Sequence, residues 1–171
     1  MNVLKFGGSS VGSADALRSV KKIIESRKGS IVVVVSALSG ITDRLLSTAA
    51  LAEKGDPAYV TGFEHICRRH HELMDGLFGP DGKPALRSSI GSMLESLRLL
   101  LEAASALKVM PDKTRSGIVS FGERMSSRIV SELIDGSVLF DSTGFIRTTD
   151  ADGKTVLEPD MTERLVKEAF S

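Results

Sequence analysis

Val3-Leu4-Lys5-Phe6-Gly7-Gly8-Ser9-Ser10-Val11 is the stretch that decides the fold class. A short apolar run carrying one lysine meets a Gly-Gly-Ser-Ser turn, and a helix-forming segment follows. Adjacent glycines allow the backbone to come close to a ligand and to take up φ > 0. The amides behind them, opening a helix, form a natural cradle for phosphate. Lys5 closes the predicted strand and can reach the same anion as a point charge. The order of residues is not that of a Walker A loop, whose lysine follows its glycines. Taken alone the corner is equally compatible with a plain tight turn of an α/β fold.

Working outward, the chain alternates strands and helices. Residues 2–6 read as a first strand. Ser13 is a candidate N-cap for a helix over about 14–27, with Leu17, Val20, Ile23 and Ile24 at helical spacing and Lys28-Gly29 closing it. Ile31 to Val35 is β-branched throughout without alternation, the pattern of a strand buried on both faces. Strand, helix and buried strand in close succession make a βαβ unit and predict a parallel sheet. A helix is expected from Thr42 to about Glu53, broken at Gly55-Asp56-Pro57. Two amphipathic stripes follow, one over Phe63, Ile66, Cys67, His70, Leu73, Met74 and Leu77, the other from Leu86 to Leu107. With the Gly79-Pro80-Asp81-Gly82 turn between them they predict a helical hairpin packed on the sheet or extending from it. Ile118-Val119-Ser120 reads as a strand-like run entering a helix over about 122–134. Val138-Leu139-Phe140 reads as a third strand, residues 142–158 as a loop or β-ribbon, and Pro159 as the first turn of a last helix.

Composition sets wide bounds. The 171 residues suffice for one domain with a real core. Lys plus Arg and Asp plus Glu both number 22, so no basic footprint for nucleic acid is present. The single cysteine, Cys67, rules out an internal disulfide and suits a reducing compartment. The first ten residues form a strand and turn rather than a signal peptide, and the longest apolar run is far too short to span a bilayer. A cytoplasmic protein without membrane or nucleic-acid partners is expected.

Two further segments can carry chemistry. Ser36-Ala37-Leu38-Ser39-Gly40-Ile41-Thr42-Asp43 sits at the carboxyl end of the buried strand, where open α/β sheets bind ligands. Its hydroxyls can donate to a carboxylate or phosphate, although Thr42 is equally a favoured helix N-cap. Ser120-Phe121-Gly122-Glu123-Arg124-Met125-Ser126-Ser127 places Glu123 in the predicted first turn of a helix. The dipole favours a carboxylate there in any case.

Lys5-to-Val11, Ser36-to-Asp43 and Ser120-to-Ser126, in this order and spacing, resemble the aspartate kinases. The likeness extends to Asp141-Ser142-Thr143-Gly144-Phe145-Ile146-Arg147-Thr148, so it spans nearly the whole chain. The first motif is shared with other amino acid kinases, such as those acting on acetylglutamate or glutamate. Its combination with Gly-Ile-Thr-Asp and Phe-Gly-Glu is specific to the aspartate kinase branch. The resemblance implies an αβα sandwich around a mainly parallel sheet and transfer of the γ-phosphoryl group of ATP, with Mg²⁺ carried on the nucleotide, to the side-chain carboxylate of L-aspartate. It places Lys5 at the phosphoryl groups and makes Gly7, Gly8 and Ser9 the phosphate loop. Ser36, Thr42 and Glu123 fall at substrate-contacting positions.

The departure from the family is length. A complete aspartate kinase continues with a second half of the catalytic domain, bearing a Gly-Arg-Gly-Gly-Ser-Asp-like motif, and with regulatory domains. The chain is therefore expected to be an N-terminal part of such a catalytic domain over 1–171. It should fold, be catalytically silent by itself and self-associate through the uncovered edge of its sheet. His65, Cys67, His70 and His71 crowd one helix, and Cys67 with His71 has a metal-compatible spacing. No second ligand pair is evident, and Cys67 and His70 lie on the core stripe, so no metal site is expected. Arg68-Arg69 reads as a solvated patch.

Overall fold

The computed structural model describes residues 2–151 and 154–170. The chain divides into two compact units, Met1–Ser137 and Val138–Ser171.

The first unit opens with β1 (Asn2–Phe6), which pairs in parallel with β2 (Ile31–Val35), Asn2 opposite Ile31 and Phe6 opposite Val35. The Ser36 N–H extends the ladder to the Phe6 carbonyl at 3.1 Å. The crossover runs through the single turn α1 (Gly8–Val11) and through α2 (Ala14–Glu25). Ser13 caps α2 as its position predicts, its hydroxyl accepting from the Ala16 N–H at 3.2 Å. Leu17, Val20 and Ile24 bury the apolar stripe, and Gly29, with φ +85°, reverses the chain into β2. The βαβ unit is thus present with the expected strand limits. The expected burial of β2 on both faces is corrected. Leu4, Phe6, Ile31, Val33 and Val35 pack against the core, whereas Val3 and Val34 are 63% and 44% exposed. Strand side chains alternate between faces, and among the described residues the helices cover only one face of this two-stranded sheet. The β-branched run therefore reports strand propensity rather than two-sided burial.

Helix α3 (Ile41–Glu53) is the hub of the helical layer, packing against α4 (Tyr59–Phe78), α5 (Pro84–Leu107) and α6 (Asp112–Leu133). Its start lies one residue before the expected Thr42, because Gly40, at φ +77°, takes the N-cap position in a left-handed conformation open to glycine. The hairpin of α4 and α5 exists, and its principal neighbours are helices: α2 and α3 for α4, α3 and α6 for α5. Ile66, His70, Leu73 and Met74 of α4 and Leu86, Ile90, Leu94, Leu97, Leu101 and Ala104 of α5 are buried.

The strand-like reading of Ile118-Val119-Ser120 is corrected, since these residues lie within α6. Ile118, Phe121, Gly122, Met125, Ile129 and Val130 form one buried stripe at helical spacing. That burial outweighs the β preference of two branched residues, which is a weak local prior. Glu123 therefore stands mid-helix rather than in a first turn, and no helix dipole end explains its presence.

In the second unit a 3₁₀ turn (Ser142–Gly144) precedes the antiparallel hairpin β3 (Thr148–Ala151) and β4 (Lys154–Leu157), followed by α7 (Pro159–Ala169). The expected ribbon and the terminal helix opened by Pro159 are both present. The expected strand at Val138-Leu139-Phe140 is not formed. A strand gains its stability from cross-strand pairs, and Val138 lies 75% exposed. Phe140 instead packs its ring on Phe170, at a centroid separation of 4.7 Å, with Phe145 edge-on to the same ring at 5.5 Å.

Candidate active site

The first two motif segments converge where β1 and β2 end. Gly7 leaves β1 extended (φ −79°, ψ 176°) and its carbonyl accepts from the Ser10 N–H at 2.9 Å, closing the turn of α1. Open space surrounds the Cβ position of Gly7, whereas a Cβ on Gly8 would stand 3.2 Å from the Ala37 carbonyl oxygen. One glycine leaves the backbone bare for a ligand, and the other lets the loop settle on the second motif. Gly12 repeats the close approach, its Cβ position lying 3.0 Å from the Cβ of Ser39.

The third motif joins them through α6. A Cβ on Gly122 would meet the Ala37 Cβ at 2.8 Å and Leu45 Cδ1 at 3.2 Å. One turn later the buried Ser126 hydroxyl donates to the Ser36 carbonyl at 2.7 Å, tying α6 to the end of β2. The Gly-Gly loop, the Ser36–Gly40 crossing and the Glu123 turn of α6 are one packed assembly.

Lys5 stands beside Val34 in the parallel register, exposed, on the sheet face opposite the helices. Ser9 is exposed, and Ser36, Thr42 and Glu123 are half-buried. Among the described residues neither Lys5 nor Glu123 has an ion-pair partner. Thr42, displaced by Gly40 from the cap position, sits in the first turn of α3 with no capping bond to make. The structure thus brings the second motif against both the glycine loop and α6, with Lys5, Gly7, Gly8, Ser9, Ser36, Thr42 and Glu123 on these segments.

Sequence reasoning gave no individual role in the assembly to three of its residues: Gly12, Ser126 and Arg69. Ser126 lies inside the third motif, but only its burial reveals that it links two elements. Arg69 corrects the reading of Arg68-Arg69 as a solvated patch, because its guanidinium donates to the Gly12 carbonyl at 3.0 Å. Arg68 remains at the surface, near His65 at 3.2 Å and Glu72 at 3.8 Å.

Of the histidine-rich stretch, His70 belongs to the core and Cys67 is half-buried, as their stripe predicts, whereas His71 is exposed. His70 is fully buried, its Nδ1–H donating to the Ile66 carbonyl at 2.7 Å, and desolvation pushes its pKa down to about 4. Cys67 is half-buried, and burial raises its thiol pKa. No helix among the described residues is long and apolar enough to cross a membrane.

A family model for the amino acid kinase family matches residues 1–168. The chain is 34% identical to aspartokinase 2 of Arabidopsis thaliana over 91% of its own length and 29% of that protein. It is 32% identical to the lysine-sensitive aspartokinase 3 of Escherichia coli, over 93% of the chain and 34% of the relative. The crystal structure of E. coli aspartokinase III in complex with aspartate and ADP superposes with a TM-score of 0.86 at 27% identity, covering 98% of this chain and 37% of that one. The Clostridium acetobutylicum aspartate kinase, 22% identical with a TM-score of 0.79, shows the same fold. The chain thus spans about a third of the length of the relatives it matches. With the glycine loop, the Ser36–Gly40 crossing and α6 assembled in this fold, the chain belongs to the amino acid kinase family.

Proposed function

We propose that this chain is the N-terminal part of the catalytic domain of an aspartate kinase. The enzyme would transfer the γ-phosphoryl group of ATP to the side-chain carboxylate of L-aspartate, releasing ADP and 4-phospho-L-aspartate, the step that opens the route to lysine, threonine and methionine. The observation that carries this reading is the packing of the second of the three aspartate-kinase motifs against the other two, in a chain whose matched relatives are aspartokinases.

The chemistry follows from the residues. Phosphoryl transfer asks the protein for positioning and charge stabilisation rather than covalent work. Gly7, Gly8 and Ser9 offer backbone to the phosphates, bare at Gly7, where open space surrounds the Cβ position. Lys5, exposed and unpaired among the described residues, offsets the negative charge that gathers as a carboxylate approaches a triphosphate. Thr42 and the Ser36 segment offer polar groups to aspartate, and Glu123 suits its ammonium group. The described residues hold no group of three or more His, Cys, Asp or Glu side chains able to hold a metal. Mg²⁺ would come carried on the nucleotide phosphates, where it would neutralise phosphate charge.

The chain by itself is read as inactive, self-associating and cytoplasmic. The test is ADP release by the enzyme carrying this segment, with L-aspartate, L-glutamate and N-acetylglutamate as acceptors, alongside light scattering of the 171-residue chain at micromolar concentration. Aspartate-dependent turnover is expected. Preference for another acceptor overturns the substrate, and turnover by the isolated chain or a clean monomer overturns the reading of it as an inactive, self-associating piece.

A further inference from the structure

The glycine loop is held from outside, by α4. Its helix, α1, is a single turn of four residues, and so short a helix cannot sustain itself, since nucleation costs more than one turn returns. Its final carbonyls lack intrahelical partners, as at every helix C-terminus. One of them, on the C-cap residue Gly12, accepts from Arg69 Nη2 at 3.0 Å. The other arm of the guanidinium lies 3.6 Å from Glu72, one turn further along α4, which keeps the fork turned toward the loop. Gly12 itself packs closely here, since a Cβ on it would lie 3.0 Å from the Ser39 Cβ and 3.1 Å from the Gly8 carbonyl oxygen.

A second bridge runs the opposite way. Arg18 of α2 donates to the Gly76 carbonyl of α4, and the Cβ position of Gly76 comes within 3.0 Å of Ala14. Two arginine-to-glycine-carbonyl bonds therefore span the seam between α4 and the α1–α2 segment. A cation on the last carbonyls of a helix is also favoured by the dipole.

We infer that Arg69 is a positioning residue for nucleotide binding: through the Gly12 carbonyl it sets the conformation of the Gly7–Val11 turn that receives the phosphates. This rests on the aspartate kinase reading. Arg69 acts through the C-cap carbonyl of a single-turn helix that cannot hold its own shape.

The test uses three variants of the enzyme carrying this segment. Arg69→Met keeps the aliphatic stem and removes the donors, Arg69→Lys keeps a charged donor, and Arg18→Met breaks the other bridge of the same seam. Arg69→Met is expected to raise KM for ATP about tenfold, the worth of one charge-assisted hydrogen bond. KM for aspartate should stay within about twofold, and Arg69→Lys should recover most of the loss. Hydrogen exchange at the amides of residues 8–12 should quicken about tenfold in Arg69→Met and less in Arg18→Met. An unchanged ATP constant with unchanged amide protection overturns the inference, as does an equal rise in both substrate constants. If the unsubstituted enzyme transfers nothing from ATP to aspartate, the functional reading falls instead, and amide exchange alone then decides whether Arg69 holds the turn.

Discussion

Gly122→Ala is a sharp probe of the site assembly, because two effects of known size oppose each other there. Gly122 lies inside α6, where alanine is favoured over glycine by about 1 kcal/mol of helix propensity. The added methyl, however, would stand 2.8 Å from the Ala37 Cβ, closer than side chains approach, and at a tight 3.2 Å from Leu45 Cδ1. The first of these neighbours has no rotamer to yield, and Ala37 is only 3% exposed, so the Ser36–Gly40 crossing itself must shift. Overpacking of this kind costs about 1–3 kcal/mol. Placing the clash in the upper half of that range leaves a net destabilisation of about 1–2 kcal/mol after the propensity gain. For a chain of this size it corresponds to a fall in Tm of about 3–6 °C. Urea and thermal unfolding of the chain, followed by far-UV circular dichroism, measure it. The double variant Gly122→Ala, Ala37→Gly removes the opposing methyl, and the cycle should show a coupling of about 1 kcal/mol. Stability of Gly122→Ala at or above that of the parent, or a cycle without coupling, would refute the claim that α6 and the second motif are in direct, rigid contact.

Three other outcomes follow from the site and the core. Lys5→Ala in the enzyme carrying this segment should lower kcat at least about 10²-fold while leaving circular dichroism and Tm unchanged, since the side chain is exposed and supports nothing around it; wild-type-like turnover rejects its role. Glu123→Gln should raise KM for aspartate well before that for ATP, because a carboxylate facing an ammonium becomes a neutral amide; movement of the ATP constant alone means Glu123 is misplaced. His70 makes the fold acid-sensitive: held neutral down to about pH 4 when folded, it protonates near 6.5 when unfolded. Its contribution is complete above about pH 6.5 and fades as pH falls toward 4, by about 3 kcal/mol, the unfolded state binding the extra proton in that window. Urea midpoints between pH 4 and 7 for the parent and for His70→Met test this, and an equal slope in both shows that another group carries the acid sensitivity.

Much of this protein was legible without coordinates because its signals are local. Ser13 as an N-cap, the limits of β1 and β2, the breaks after α3 and between α4 and α5, and Pro159 opening α7 each depend on a few adjacent residues and on backbone sterics. The motif segments also carried the family, since their glycines and hydroxyls stand in a fixed local order. Tertiary structure decided what depends on partners. Ile118-Val119 looks like a strand until the buried stripe from Ile118 to Val130 is assembled against α3 and α5, and Val138-Leu139-Phe140 is no strand because it has no ladder to join. The one-sided burial of the β2 run depends on which face the helices cover, a property that no single segment encodes. The same holds for Arg69 and Ser126. Arg69 reads as a solvated surface residue and Ser126 as one member of a motif, and only the fold brings one to Gly12 across 57 positions and the other to Ser36 across 90. Local sequence dictates dihedral preference and periodicity, whereas hydrogen bonds over such separations exist only once the core has closed and set the distances.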